Sequence, residues 1–437
     1  MKKSIIIVVF TICILLSSFN IYSYGYNSNE KIYKNVYIGN IDVGGLTKDE
    51  ALQRLAEYNE NKQINLIYDN KVFTLNSKDI SYNYEIKKNI EQAYNIGRDN
   101  GYIANIKKVW DLNRKSKEVI NITSKYDSNK LKNYIDNINK SLSKEPINAK
   151  ISTRDGNINI TPHSDGAKVN FDNLEKTIVD NLNSRNYEDV IIPVDVISPN
   201  INSNYLSQIN TVLGRYETKF NDKVEGRSYN IKLGTYKVNG ILLNPGEEFS
   251  FNRLTGKRGI NQGFKEAPVI INGELEDGIA GGICQVSSTL YNSVLYSGLQ
   301  ITQVRNHSIP SSYVEKGRDA TLVYGIIDLK FKNNYSHPVY IENIVNKNKV
   351  ISNVYGNIKD KVNIKVDTEV IKTIPNKVVF ETDKTLSKGE EIVKEKGRLG
   401  YRINTYRIYS QNEKVIKKEL IAQNYYPPKN KVILKGE

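Results

Sequence analysis

One cysteine and one histidine of this chain stand in surroundings that suit nucleophilic chemistry. Cys284 follows Gly281-Gly282-Ile283, and the apolar residues at 286, 290, 294 and 295 behind it keep helical spacing. Paired glycines let the backbone turn tightly into a helix, so Cys284 is expected at or near a helix N-terminus. There the unpaired N–H groups and the helix dipole favour a thiolate. The same N–H groups, reached through the Gly281-Gly282 loop, suit a developing oxyanion. His307 follows in Arg305-Asn306-His307-Ser308. A helix, a turn at Ser297-Gly298 and a returning strand over 300–304 would carry it back beside the thiol as a base. Cysteine on a helix start with histidine on a strand is the arrangement of papain-like and transglutaminase-like thiol enzymes. Asp319, behind Gly317-Arg318, and Asp328, in an expected strand over 322–331, are the two candidates to orient the imidazole. Arg305 and Arg318 either hold a substrate carboxylate through paired donors or serve as plain surface cations. His163 and His337, each beside a proline, are assigned no function.

Composition narrows what such a site could serve. The chain has 437 residues, 62 Lys+Arg against 48 Asp+Glu for a net charge of +14, two cysteines and three histidines. At 39% hydrophobic and 25% charged it is neither disordered nor collagen-like. Two cysteines cannot build a disulfide scaffold or a zinc ribbon, and no metal or cofactor is expected. Met1-Lys2-Lys3 and the apolar run from Ile5 to Leu16 read as a secretory leader. The uncharged stretch continues far enough to serve as an uncleaved membrane anchor. Either way the protein is expected outside the cytoplasm, where nucleic acid is no partner and anionic wall polymers or lipids are. Cys13 lies in the leader, so Cys284 is the lone exported thiol: inert and buried, or kept for reactivity.

The elements around the site suggest an α+β, multidomain chain. Thr47 with Glu50 forms a capping-box signature ahead of a helix. Strand patterns at 63–68 and 71–75 flank Asp69-Asn70, and a second helix covers 86–96. From 118 the theme returns: a strand to 124, a helix at 129–142, strands at 149–153 and 157–161, a helix at 171–182 and a strand at 190–196. Strand, turn, helix and strand at 36–75 and again at 157–196 suggest a loose duplication. The polar segment 199–204 marks a boundary, and the tail beyond 360 is rich in strands.

At this point the central block resembles the VanW family. The resemblance rests on Gly240-Ile241-Leu242-Leu243-Asn244-Pro245-Gly246 through Asn252, on Gly281-Gly282-Ile283-Cys284-Gln285-Val286-Ser287-Ser288-Thr289-Leu290-Tyr291-Asn292, on Arg305-Asn306-His307-Ser308 and on Gly317-Arg318-Asp319-Ala320. Ala280 stands where the family often has a third glycine. The segment before 205 resembles peptidoglycan-binding modules through Gly44-Gly45-Leu46-Thr47 and Asp165-Gly166. The tail resembles a G5-type module through Gly389, Gly397, Gly400 and Tyr426-Pro427-Pro428.

The resemblance implies a leader or anchor at 1–26, an α+β module at 27–117, a peptidoglycan-binding module at 118–205, a papain/transglutaminase-like VanW domain at 206–358 and a β-rich G5-like module at 359–437. It further implies an L,D-transpeptidase acting on peptidoglycan stem peptides. Cys284, His307 and Asp319 would be catalytic, with Gly281 and Gly282 shaping the oxyanion loop. Arg305, Arg318 and Ser287 would contact substrate. A non-catalytic wall-binding protein and a thiol hydrolase of stem peptides are the alternatives.

Overall fold

Thr47 caps the first helix, Lys48–Arg54, as its spacing predicts: its Oγ1 accepts from Glu50 N at 3.2 Å, and Glu50 Oε2 accepts from Thr47 N at 2.7 Å. The computed structural model describes residues 30–114, 116–154, 157–271 and 274–436. The apolar N-terminal segment and its Cys13 lie outside the described residues. Among the described residues no helix is long and apolar enough to cross a membrane. Helices and several small sheets mix along the chain, giving the expected α+β class with a β-rich C-terminal region.

The chain divides into two units, with one break at Ser198/Pro199, where the polar segment 199–204 predicts it, and two more at 146/147 and 164/165, where none is expected. The first holds the residues up to Pro146 together with Asp165–Ser198. Strand Val36–Ile38 runs parallel to Glu118–Ile120, and Gln63–Tyr68 runs parallel to Val190–Ile191. One apolar core extends from Ile32 to Ile192, so no boundary falls at 117/118. Parallel pairing between distant segments leaves no local trace in a sequence. Helix Tyr102–Asn113 was not anticipated, because it buries only Leu112 and leaves Tyr102, Ile103 and Trp110 exposed.

The second unit holds residues 147–164 and everything from Pro199 onward. The hairpin Lys150–Arg154/Asn157–Thr161 belongs here: Ala149, just ahead of it, is buried with Leu206, Ile209, Tyr340 and Tyr355, and Ile158 and Ile160 pack against them. The apparent repeat at 157–196 is therefore split between the units and is not a duplication. The central sheet of the second unit is antiparallel, in the order Thr211–Lys219, Lys349–Gly356, Val339–Asn346, Ile241–Leu243. Helix Ile283–Ser297 packs on its first two strands. The tail forms two three-stranded sheets, and Ile364 and Val366 of its first strand join the same core as Val294 and Leu295. The G5-like region thus shares a core with the preceding domain, and no break in packing occurs at 358/359. The expected strand over 322–331 is confined to Lys330–Lys332, while Val323 and Ile327 close a tight loop before it.

The cysteine-bearing helix lies directly against the backbone of its sheet. A Cβ on Gly214 would sit 2.2 Å from Ser293 O and 2.6 Å from Ser297 N, neither of which belongs to a flexible side chain. Gly214→Ala should therefore force helix and strand apart and cost about 1–3 kcal/mol, the usual range for overpacking. Calorimetric unfolding of the full chain tests this. An unchanged transition for the second unit would mean the helix is not seated on that strand.

Candidate active site

The cysteine helix begins abruptly. Gly282 takes φ +101° as its N-cap, and Cys284 is the second residue of the first turn. A Cβ on Gly281 would lie 2.5 Å from Pro268 O and 2.7 Å from Ala267 O, so the strand Glu266–Ile271 presses against this loop. Ala280, where the resemblance expects glycine, sits buried at φ +67°. A left-handed alanine is strained by about 1–2 kcal/mol. The loop is therefore held in shape by its surroundings rather than by its own preference.

The apolar periodicity after Cys284 suggests a helix with one buried face, but residues 285–295 are buried all round. The polar positions are consumed internally. Gln285 Nε2 donates to Thr218 Oγ1 at 3.0 Å and Lys219 O at 2.8 Å, and Ser293 Oγ pairs with Ser352 Oγ at 2.7 Å. Ser287 Oγ donates to Ala320 O at 2.6 Å, Ser288 Oγ accepts from Ala320 N at 2.9 Å, and Asn292 Nδ2 donates to Arg318 O at 2.8 Å. The last three bonds pin the segment Arg318-Asp319-Ala320 along the helix.

The helix ends at Ser297, Gly298 turns the chain at φ +78°, and strand Gln300–Gln303 returns toward His307, the route its spacing predicts. His307 Nδ1 meets Asp319 Oδ2 at 2.5 Å, and His307 N donates to the same oxygen at 2.7 Å. With Nδ1 occupied, the other ring nitrogen is left for the thiol. His307 is 8% and Asp319 1% exposed. Burial alone would make the imidazole a weaker base, but the bonds to Asp319 and Cys284 outweigh it and raise its pKa to about 10. Burial alone would likewise push the Cys284 thiol up. The hydrogen bond and charge of His307, the Leu322 backbone and the Thr321 hydroxyl 4.0 Å from Sγ reverse this and hold it below its ordinary value. The two shifts share one cause, the mutual attraction of thiol and imidazole, and both favour a thiolate–imidazolium pair.

Asp319 has a further partner no local pattern announced. Tyr426, fully buried in the last long strand of the tail, donates its hydroxyl to Asp319 Oδ1 and accepts from Gly317 N at 2.8 Å. Thr405 Oγ1 in the neighbouring strand donates to Gly317 O at 2.7 Å. A Cβ on Gly317, itself at φ +86°, would stand 2.9 Å from that Oγ1. Arg407, 1% exposed, donates to Leu299 O at 2.6 Å just past the end of the cysteine helix. Arg227, bonded to Gln285 Oε1 at 2.9 Å, and Arg258, bonded to Asn252 Oδ1 at 2.8 Å, both feel the thiolate's charge and were missed from sequence.

The remaining expectations divide. Asp328 caps the short helix Phe251–Thr255, accepting from Ser250 Oγ at 2.6 Å and Asn252 N at 2.9 Å, so Asp319 is the carboxylate that meets His307. Arg318 is 4% exposed, with its guanidinium on Asn292, Glu315 and Tyr296, and Ser287 is fully buried; both brace the site and neither faces a substrate. Arg305 is exposed and lines a cleft of about 1050 Å³ that also contains His307 and Thr321. His163 bonds Ser203, and His337 bonds Asp360 at 2.9 Å, both away from the thiol site. Among the described residues no group of three His, Cys, Asp or Glu is arranged for a metal.

A half-buried cysteine beside a buried His–Asp pair on an α+β domain resembles the arrangement of thiol acyl-transfer sites. Known families place it further. Residues 226–355 match the VanW like protein family, 73–190 the "Putative peptidoglycan binding domain" and 365–437 the G5 domain. The chain therefore carries these three domains in the order its sequence predicts, the organisation of a cell-wall-associated protein. The peptidoglycan-binding match runs through 117/118, consistent with a single core there. The chain is 39% identical over 199 residues to "Uncharacterized protein YoaR" of Bacillus subtilis (strain 168), covering 45% of this chain and 65% of that one. It is 34% identical over 137 residues to "Vancomycin B-type resistance protein VanW" of Enterococcus faecalis (strain ATCC 700802 / V583), covering 30% and 50%. The chain thus spans less than two thirds of either relative. Among solved structures it is similar to "IgA1 Protease G5 domain structure", at 24% identity over 18% of this chain and 93% of that one, TM-score 0.15.

Three substitutions read the electrostatics directly. In the intact protein, alkylation of Cys284 by iodoacetamide should reach its plateau below the pH of a free thiol, about 8.5. His307→Ala removes the imidazolium and leaves burial unopposed, so the profile should move above that pH. Tyr426→Phe frees one oxygen of Asp319 and should move the profile the same way, by less than Asp319→Asn does. A profile indifferent to His307→Ala would separate the thiol from the histidine.

Proposed function

We propose that the protein is an exported cysteine L,D-transpeptidase that forms 3→3 cross-links between peptidoglycan stem peptides. The observation that carries this reading is the half-buried Cys284 with the buried His307–Asp319 pair beside an open cleft, within a VanW-like domain whose neighbour matches a peptidoglycan-binding family.

In the proposed reaction the Cys284 thiolate attacks the carbonyl between the third and fourth residues of a donor stem. The Cys284 N–H, in the first turn and without an intrahelical acceptor, is placed for the developing oxyanion. The C–N bond then breaks, and His307 gives its proton to the departing amine of the terminal D-alanine. A thioester remains and His307 is neutral. The side-chain amine of a neighbouring diaminopimelate attacks that thioester, its proton passes to His307, and the thiolate leaves. The amide is formed and the ion pair restored, with no net oxidation or reduction. Water in place of the amine would give a shortened stem, the hydrolase variant of the same chemistry.

Incubation with disaccharide-tetrapeptides and mass spectrometry of the products tests the reading. Wild-type protein should yield 3→3 dimers and free D-alanine, and Cys284→Ala should lose at least about 10³-fold of the rate. Dimer yield untouched by that substitution would sink the proposal, and shortened monomer alone would assign hydrolysis. The pH–rate profile follows from the two shifts. Activity should fall on the acid side as the thiolate takes up a proton, below the ordinary thiol range. It should fall again on the alkaline side as His307 loses its proton, near the pKa of about 10.

A further inference from the structure

The cleft beside His307 has two walls, and they come from different domains. One is residues 301–308, the run that begins in strand Gln300–Gln303 and ends at the histidine. The other is residues 421–425, from the strand Lys414–Tyr426 of the G5 domain. Each of these strands is the outermost of its sheet. Among the described residues Gln300–Gln303 pairs only with Lys330–Lys332, and Lys414–Tyr426 pairs only with Gly400–Gln411. Each therefore has one edge that no strand among the described residues pairs with, and an unpaired edge offers main-chain N–H and C=O groups to an extended peptide. The walls are tied together near the histidine, where Asn306 Nδ2 donates to Tyr425 O at 2.9 Å. Among the described residues that line the cleft, Arg305 is the one cationic side chain apart from His307, and none is a carboxylate that would neutralise it. About 1050 Å³ is room for a peptide of several residues.

We infer that this cleft binds an extended peptide between the two strand edges, with Arg305 on the peptide's C-terminal carboxylate, so that the G5 domain forms one wall of the substrate site. This rests on the reading of Cys284 as an acyl-transfer nucleophile and adds to it where the acyl donor lies. A donor running along 301–308 passes His307 and Thr321, two of the side chains beside the thiol. The G5 domain then acts twice at one place, fixing Asp319 through Tyr426 and holding the peptide through the residues just before it. A wall-tethering module would have no need to contact the acyl donor.

The test uses full-length Cys284→Ala, so that binding is read without turnover, and a synthetic L-alanyl-γ-D-glutamyl-diaminopimelyl-D-alanine tetrapeptide as probe. Hydrogen exchange followed peptide by peptide should slow by about tenfold or more over both 301–308 and 421–425 when the tetrapeptide is present. The same peptide with a C-terminal carboxamide should bind about tenfold more weakly, and Arg305→Gln should abolish that difference. Protection confined to 301–308, no protection at either wall, or an unchanged carboxamide discrimination in Arg305→Gln would overturn the inference. Its failure is separable from that of the proposed reaction. Dimer formation by wild-type protein with no protection at 421–425 removes the G5 wall and keeps the transpeptidase. Protection at both walls without turnover keeps the cleft and removes the transpeptidase.

Discussion

A carboxylate buried to 1% exposure is the constraint around which the site is organised. An ionised carboxyl away from water is tolerated only when its oxygens are bonded and a counter-charge is near. Asp319 meets that demand with three groups: the ring and backbone nitrogens of His307 on one oxygen and the Tyr426 hydroxyl on the other. Satisfying the carboxylate orients the imidazole, holds its proton and, through it, keeps the Cys284 thiol below its ordinary pKa. Removing one partner of such a buried pair typically costs about 3–5 kcal/mol. Stability and reactivity are thus coupled at a single side chain.

The cysteine helix explains why the block around it is so rich in small polar residues. A helix buried on every side would ordinarily be apolar throughout. Here Gln285, Ser287, Ser288, Thr289, Asn292 and Ser293 are buried, and each finds a partner. Those facing Arg318-Asp319-Ala320 set the register between Cys284 and the Asp319 carboxylate, and those facing the sheet set the height of the helix above it. An apolar residue of equal size would pack but would leave the main chain at Ala320 without its partners.

The domain that carries the thiol is not complete by itself. Tyr426, Thr405 and Arg407 reach from the G5 domain to Asp319, to Gly317 and to the carbonyl of Leu299 just beyond the cysteine helix, and apolar residues of both domains share one core. A recurring wall-associated module is here part of the scaffold of the site. The strained Ala280 fits the same picture: a loop that glycine would relax is kept in a left-handed turn because the strand and helix around it leave no other course.

Cys284, its glycine approach, the helix behind it, the turn at Gly298 and the return to His307 were legible in the sequence, because each is written in residues close together along the chain. The capping box at Thr47 and the order of the three domains were legible for the same reason. The single core of the first unit was not, since parallel strands pair across long separations and mark neither partner locally. The choice of Asp319 over Asp328 was open as well. Both are aspartates a short way beyond the histidine, and only packing turns one toward His307 and the other toward a helix cap. Arg318 and Arg305 show the same limit, as the same side chain is a buried brace in one place and a solvent-facing cation in the other. Tyr426 lies 107 residues from the carboxylate it fixes. The sequence by itself determined the pairing of Cys284 with His307, because short-range backbone geometry positions them. Tertiary structure alone decided which acid completes the site and which domain holds that acid, because those contacts exist only after distant segments are buried together.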